Sequence, residues 1–299
     1  MSRRWNLPLL IGLALAAVLV LAIALPWVAP VGDPDHLTMK TEVAGKVVLP
    51  PFAPGQAGML LGSDQGGRDL LVRIVYGART TVLYAFLITL VRVVLALPLG
   101  LLAGWYRGWT AGLTRILVTA TNGVPGPVIV TVVLSGLGGF VSGAGWLALY
   151  CVAVAAIGFP RLAEQVRRLT EETAKRPFIE AAVATGARVR RVLWRHILPV
   201  IAGDVLVSVA TEMGWVLLIM GQLAIFGINL GGTVRLTFDG RPPIILEKVP
   251  EWGQMLGMNR ALVRTHPWVP LYPAVALAMT VACLQFLAEG LRRRWMRRG

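Results

Sequence analysis

Six long apolar runs constrain this chain more than any other feature: about Leu7 to Ala29, Thr80 to Gly104, Ile116 to Leu137, Gly145 to Pro160, Val200 to Ile228 and Pro270 to Leu291. A helix needs about 20 apolar residues to cross the hydrocarbon core of a bilayer, and inside that core the backbone must satisfy its own hydrogen bonds. The runs therefore predict an all-α fold, a polytopic membrane helical bundle of about six transmembrane helices. Composition agrees: of 299 residues 56% are hydrophobic and only 15% charged, against roughly 25% charged in a soluble domain. The first run follows Arg3 and Arg4, as a signal peptide would. Its apolar stretch exceeds the usual 7 to 15 residues of such a leader, roughly, so it reads as a retained anchor.

Lysine and arginine set the orientation, because cytoplasmic loops accumulate them. With the N-terminus inside, 18 basic residues fall on the cytoplasmic side: Arg3, Arg4, Arg107, Arg115, nine from Arg161 to Arg195 and five from Arg292 to Arg298. Ten fall outside, among them Lys40, Lys46, Arg68, Arg235 and Lys248. Trp5, Trp27, Trp105, Trp109, Trp146, Trp268 and Trp295 lie near span ends, where the indole favours the headgroup level. The net charge of +14 is thus a topology signal, since it is spread between spans and forms no basic patch interleaved with stacking aromatics for nucleic acid. Cys151 and Cys283 are lone thiols in apolar runs, and His36, His196 and His266 are scattered, so no metal-ligand spacing exists. Nor does the chain contain a G-x-x-x-x-G-K-[ST] phosphate loop. If ATP drives this protein, another chain binds it.

The basic loop between the fourth and fifth spans carries its own helix signals. Pro177 suits a helix start, Ala181, Ala182 and Ala184 favour its interior, and Gly186 can adopt the left-handed conformation that ends it. A second helix fits Arg188 to Leu198, with Arg188, Arg191 and Arg195 on one face, and Pro199 suits the first turn of the next span. Small side chains would let a partner come close, with Glu180 offered to a basic group; equally, the hairpin could be solvated and its arginines serve only topology.

Glu180, Ala181, Ala182, Gly186, Leu198 and Pro199 resemble, in register, the EAA loop of binding-protein-dependent ABC importer permeases. Two further segments resemble blocks of the dipeptide, oligopeptide and nickel permeases. One is Leu61 to Arg79, in which Gly62, Asp64, Gly67, Arg68, Asp69, Arg73, Gly77 and Arg79 match an L-G-T-D-x-x-G-R-D pattern and its continuation. The other is Pro250 to Leu256, with His266, Pro267, Trp268 and Pro273, which is similar to the P-x-W-G-x-M-L segment before the last span. The chain departs from the family at Gly66, Val72 and Ile219 to Asn229, and its Gly231 to Val249 link is longer.

The resemblance implies the C-type subunit of a permease pair in a prokaryotic inner membrane, with both termini cytoplasmic and a peptide or related small solute as cargo. Its implied partners are a second homologous permease subunit, two cytoplasmic ATPase subunits or domains, and an extracytoplasmic solute-binding protein. The chain itself binds no cofactor; ATP and magnesium belong to the ATPases, which grip the EAA loop. The expected organisation is an anchor helix (1–30), an extracytoplasmic segment (31–79), a permease domain (80–291) with a coupling loop (161–199) and an outer loop (230–269), and a basic tail (292–299).

Arg92, Asp204, Glu212 and Glu289 lie in or at spans, where a central charge asks for a partner or water. Asp204 and Glu212 stand about two turns apart on one face. They read either as a wall of the solute pathway or as buried partners of Arg92, while Glu289 snorkels toward the terminal arginines. Asn122 to Pro127 should break the third span, either lining a cavity or merely kinking. Two other functions remain open on the same acids: a proton-coupled secondary transporter, which leaves the EAA segment unexplained, and a membrane enzyme with Asp204 and Glu212 as paired carboxylates, which lacks a nucleophile or metal motif. The orientation is tested with an impermeant thiol reagent on intact cells. Cysteines placed at Lys46 and Lys248 are expected to label and one at Thr173 is not; labelling at Thr173 reverses the topology.

Overall fold

The computed structural model of the chain describes residues 6–29, 31–43, 46–106, 108–237 and 243–296. Arg3, Arg4, Arg107, Arg241, Arg297 and Arg298, which enter the orientation argument, and Trp5 lie outside them. The chain enters as α1 (Leu7–Val28), a helix of uniformly apolar residues with Pro8 in the first turn, where its missing N–H costs nothing. A small hairpin, β1 (Thr41–Val43) and β2 (Lys46–Val48), follows. Then comes α2 (Leu70–Tyr106), of 37 residues. Asp69 caps it: its Oδ1 accepts from Leu71 N at 2.8 Å and Val72 N at 3.3 Å. That cap starts the helix well ahead of Thr80, so the boundary drawn there from hydropathy falls inside α2.

The third apolar run is divided between α3 (Trp109–Asn122) and α4 (Gly126–Leu137), bent by 84° where Gly123, Val124 and Pro125 interrupt the backbone pairing. The fourth does not stop at Pro160. It continues as α5 (Ala144–Ala174), because Arg167 holds Glu164 one turn back at 2.7 Å and Glu171 one turn ahead at 2.9 Å. The first part of the expected coupling loop is thus helix. After it stand α6 (Pro177–Ala184), α7 (Val189–Arg191), a π turn (Val192–Ile197) and α8 (Leu198–Ile225), the last three running on without a break. The hairpin β3 (Thr233–Leu236) and β4 (Ile244–Glu247), the short α9 (Trp252–Met258) and α10 (Trp268–Met296) complete the chain.

Among the described residues five helices are long and apolar enough to cross a membrane, and the bent α3–α4 pair makes a sixth if taken as one span. Their outward faces carry Leu13, Val18, Leu83, Phe86, Leu90 and Val94, all exposed. A soluble protein would have to cover such a surface; lipid covers it here.

Inside, the helices meet through glycines. A Cβ at Gly100 of α2 would lie 2.6 Å from Ala163 O and from Val166 Cβ of α5, and one at Gly104 would lie 2.6 Å from Arg167 O and Thr170 Cβ. Gly12 of α1 and Gly290 of α10 do the same for that pair, against Leu287 and Leu9. Close backbone approach of this kind is the chief source of helix association in lipid, where apolar burial alone supplies little. A second apolar cluster, including Leu101, Val166, Ile179, Val192, Ile197 and Ile201, seats α6 and the π turn on the ends of α2, α5 and α8. Gly100→Leu is expected to lower stability by about 1–3 kcal/mol or more through overpacking, read as a lower melting temperature in detergent. Gly112→Leu, where nothing lies within 4 Å of the new Cβ, should melt near wild type.

Candidate functional site

Three groups of residues stand out: the exposed helix α6, a buried ion network at the start of α2, and a cavity at the α3–α4 break. In α6, Ile179 is buried and anchors the helix while Glu180, Ala181, Val183 and Ala184 face outward. Glu180 sits in the first turn, where a negative charge complements the helix dipole. The end is closed by two reciprocal backbone bonds, Gly186 N to Val183 O at 2.9 Å and Ala187 N to Ala182 O at 3.1 Å. Gly186 adopts φ of 83° to make them, a conformation that needs no Cβ. Leu198 and Pro199 open α8, with Leu198 half-buried and Pro199 exposed in the first turn. Ala182 is half-buried beneath the outward face.

At the other end of the bundle, Arg68 and Arg73 are both buried. Arg68 Nε donates to Asp64 Oδ2 at 2.7 Å, its Nη1 to Glu247 O at 2.9 Å, and its Nη2 pairs with Glu247 Oε1 at 3.0 Å. Arg73 pairs with the same Oε1 at 3.1 Å and donates to Asp35 Oδ1 at 2.8 Å. Burial lowers the pKa of Arg68, but the Asp64 and Glu247 charges outweigh it and hold the guanidinium above its ordinary value. Gly62 and Gly67 have positive φ, and a Cβ on either would overlap the backbone of Phe52 or Thr38. Gly77 leaves room for Trp252, whose indole N–H donates to Ile74 O at 2.8 Å, and Arg79 lies 4.7 Å from the Trp27 ring centroid. Asp69 is the α2 cap. The block from Gly62 to Arg79 is therefore a clamp that holds the 31–69 segment and the β3–β4 hairpin onto α2. Beside it Glu251 caps α9 through Gly253 N at 2.8 Å and Gln254 N at 2.7 Å, and burial pushes its carboxyl above the ordinary range despite those donors.

Within the bundle, Arg92 Nη1 meets Glu212 Oε2 at 2.6 Å, and Nη2 donates to Val154 O at 2.9 Å. The guanidinium fits because residue 158 is glycine; a Cβ there would overlap it. Asp204 does not join this pair. It is exposed on α8 and faces a separate cavity of about 410 Å³ with Gln165, Thr211 and Arg292, two turns from Glu212, which edges that cavity too. Glu289 pairs with Arg293 at 2.6 Å, an i to i+4 contact. On the other side of Arg92 and Glu212 a cavity of about 310 Å³ opens against the α3–α4 break, with Thr121, Pro125, Arg161, Trp215 and Gln222 on its wall. Among the described residues no group of three His, Cys, Asp or Glu side chains could hold a metal.

Residues 96–298 match the family of binding-protein-dependent transport system inner membrane components. The chain belongs to this family. It is similar to the glutathione transport system permease protein GsiD of Pectobacterium atrosepticum, with 30% identity over 232 residues, 78% of this chain and 70% of that protein. To the peptide transport system permease protein SapC of Escherichia coli it is 27% identical over 283 residues, covering 93% and 86% of the two chains. To a probable peptide ABC transporter permease protein, y4tQ, of Sinorhizobium fredii it is 29% identical over 294 residues, covering 97% and 89%.

The protein is accordingly a multi-pass inner-membrane permease of the ABC importer type and forms a translocation pathway. In the permease, Glu247 is the buried partner of Arg68 and Arg73 that sequence reading missed. Asp64 and Asp69 stand in the same motif as the two arginines, so the local sequence gives no sign of a further carboxylate, and the position of Glu247, 179 residues beyond Arg68, is a matter of tertiary structure. Glu247→Ala removes the carboxylate that the two guanidiniums share, leaving Arg68 with Asp64 and Arg73 with Asp35, and is expected to destabilise the permease by about 1–3 kcal/mol. Thermal unfolding and trypsin sensitivity of the purified protein measure this, with Lys248→Ala expected near wild type.

Proposed function

We propose that this permease is the C-type half of a pair, that it moves a peptide or related small solute, and that two cytoplasmic ATPase subunits drive it by gripping α6. A solute-binding protein delivers the cargo on the opposite side, both termini lie in the cytoplasm, and ATP and magnesium are bound by the ATPases alone. The peptide and glutathione systems of the similar permeases support the solute class. The absence of a phosphate loop from the sequence supports the division of labour.

The observation that carries the coupling role is the form of α6. It is a short helix with one buried anchor, Ile179, an exposed face on which Ala181 and Ala184 stand beside Phe178, Val183 and one acid, Glu180, and a glycine-closed end. A solvated topology loop has no need of so definite a shape. Ala181 and Ala184 let a partner's cleft come close, exposed Phe178 and Val183 offer it apolar contact, and Glu180 meets a basic group there. Movement of α6 reaches the membrane directly, because Ile179 shares an apolar cluster with Val192, Ile197 and Ile201 and these lead without a break into α8. Nucleotide drives the switch to the extent that it binds the two states unequally.

The test uses Glu180→Lys and Gly186→Leu. The first replaces attraction by repulsion. The second forces an L side chain into the left-handed region at about 1–2 kcal/mol, and since nothing lies within 4 Å of that Cβ in the isolated chain, its bulk is felt by the partner. Both variants are expected at normal levels in the membrane, with weakened co-purification of the ATPases and loss of solute uptake in matched vesicles. The permease alone should hydrolyse no ATP. Normal ATPase retention and uptake in both variants would contradict the coupling role.

A further inference from the structure

We infer that the cavity at the α3–α4 break is a carboxylate-binding subsite of the translocation pathway, with Arg161, in cation–π contact with Trp215, as its anion receptor. This rests on the permease reading and adds a chemical class of cargo to it. Three charged side chains line the cavity: Arg92, Glu212 and Arg161. The first two cancel at 2.6 Å, and Arg92 is further satisfied by Val154 O. Arg161 is left over. Among the described residues it has no carboxylate in ion-pair contact, and its guanidinium carbon lies 5.7 Å from the centroid of the Trp215 ring.

A cation–π contact attracts the guanidinium to the ring without using its N–H groups as hydrogen-bond donors, and those donors match the two oxygens of a carboxylate. The position on α5 matters too. Arg161 is about one turn from Gly158, which abuts the buried Arg92, so the charge stands beside a cavity that reaches into the bundle. A cation placed there is stabilised by water or by an anion. The remaining wall supplies the other half of an amphiphilic ligand: Ile157, Leu218 and Ile219 are apolar, and Gln222 lies about 15 Å along α8 from Glu212 at 1.5 Å per residue. At about 310 Å³ the cavity is at the small end of ligand sites, roughly 300–1,000 Å³. A short peptide with a free C-terminal carboxylate, or a similar small aliphatic acid, fits that description. Because Arg92 is neutralised by Glu212, the sign of the site depends on Arg161 alone.

The full-length permease in phosphatidylcholine nanodiscs is titrated with alanyl-leucine and with alanyl-leucinamide, and binding is read by saturation-transfer difference NMR. Wild type is expected to bind the acid about tenfold or more tightly than the amide, the ratio given by one charge-assisted contact. Arg161→Gln should lose that preference and Arg161→Lys should keep part of it. The subsite is overturned if wild type binds neither probe, if it binds both alike, or if Arg161→Gln retains the preference. It is also overturned if phosphatidylglycerol in the nanodisc abolishes the preference, because Arg161 then holds a lipid phosphate. Uptake by cells with the intact importer is scored separately: wild-type uptake without acid-selective binding removes the subsite and leaves the permease reading in place.

Discussion

Arg92 and Glu212 meet at 2.6 Å inside a bundle whose outer faces are lipid-facing, and the same guanidinium donates to Val154 O. One interaction thus joins α2, α8 and α5. In a medium where a lone charge is costly, removal of either partner leaves the other uncompensated, a loss of about 3–5 kcal/mol, whereas replacement of both by apolar residues of similar volume can be nearly neutral. The pair therefore fixes which faces of three helices look at one another more than it adds net stability. Gly158 makes room for it, and Gly100 and Gly104 bring α2 and α5 close enough for Arg92 to reach across. By cancelling the Arg92 charge it also leaves Arg161 as the uncancelled charge on the wall of the adjoining cavity.

The two ends of the bundle are built differently. At one, buried Arg68, Arg73, Asp64 and Glu247, with Asp35 at the surface, bind loop, hairpin and helix into an ionic network. At the other, α6 rests on Ile179 and presents Glu180 and Ala181 outward. Between them α8 is continuous from the π turn to Ile225, carrying Glu212 and Trp215 past the broken α3–α4 pair. The π turn at Val192–Ile197 is the irregular point of this path, and such turns are common where helices serve function. In the coupling proposed above, α8 is the element that links α6 to the wall of the cavity.

Much of this is written locally in the sequence. Hydropathy places the spans because each needs only its own apolar residues. Asn122 to Pro127 announces its break through Gly and Pro, and Gly186 announces the end of α6 because few other residues accept a positive φ. Features that depend on distant partners are not legible in the same way. Asp69 starts α2 at Leu70 by capping, ahead of the apolar run, and Arg167 carries α5 past Pro160 through ion pairs that hydropathy counts as loop. Asp204 shares a helix face with Glu212, yet only Glu212 lies level with Arg92. Glu247 comes from a hairpin in the lengthened link, which no local pattern ties to Arg68 and Arg73.

The central claim is that α6 is the surface through which nucleotide energy enters this permease, and photo-crosslinking tests it most directly. Benzoylphenylalanine replaces Ala181 on the exposed face of α6, and the complete importer is irradiated in its native membrane. The account predicts one major adduct, between this chain and an ATPase subunit, whose yield changes when nucleotide is added. Adducts confined to lipid or to the permease itself, in membranes that still import solute, would contradict it.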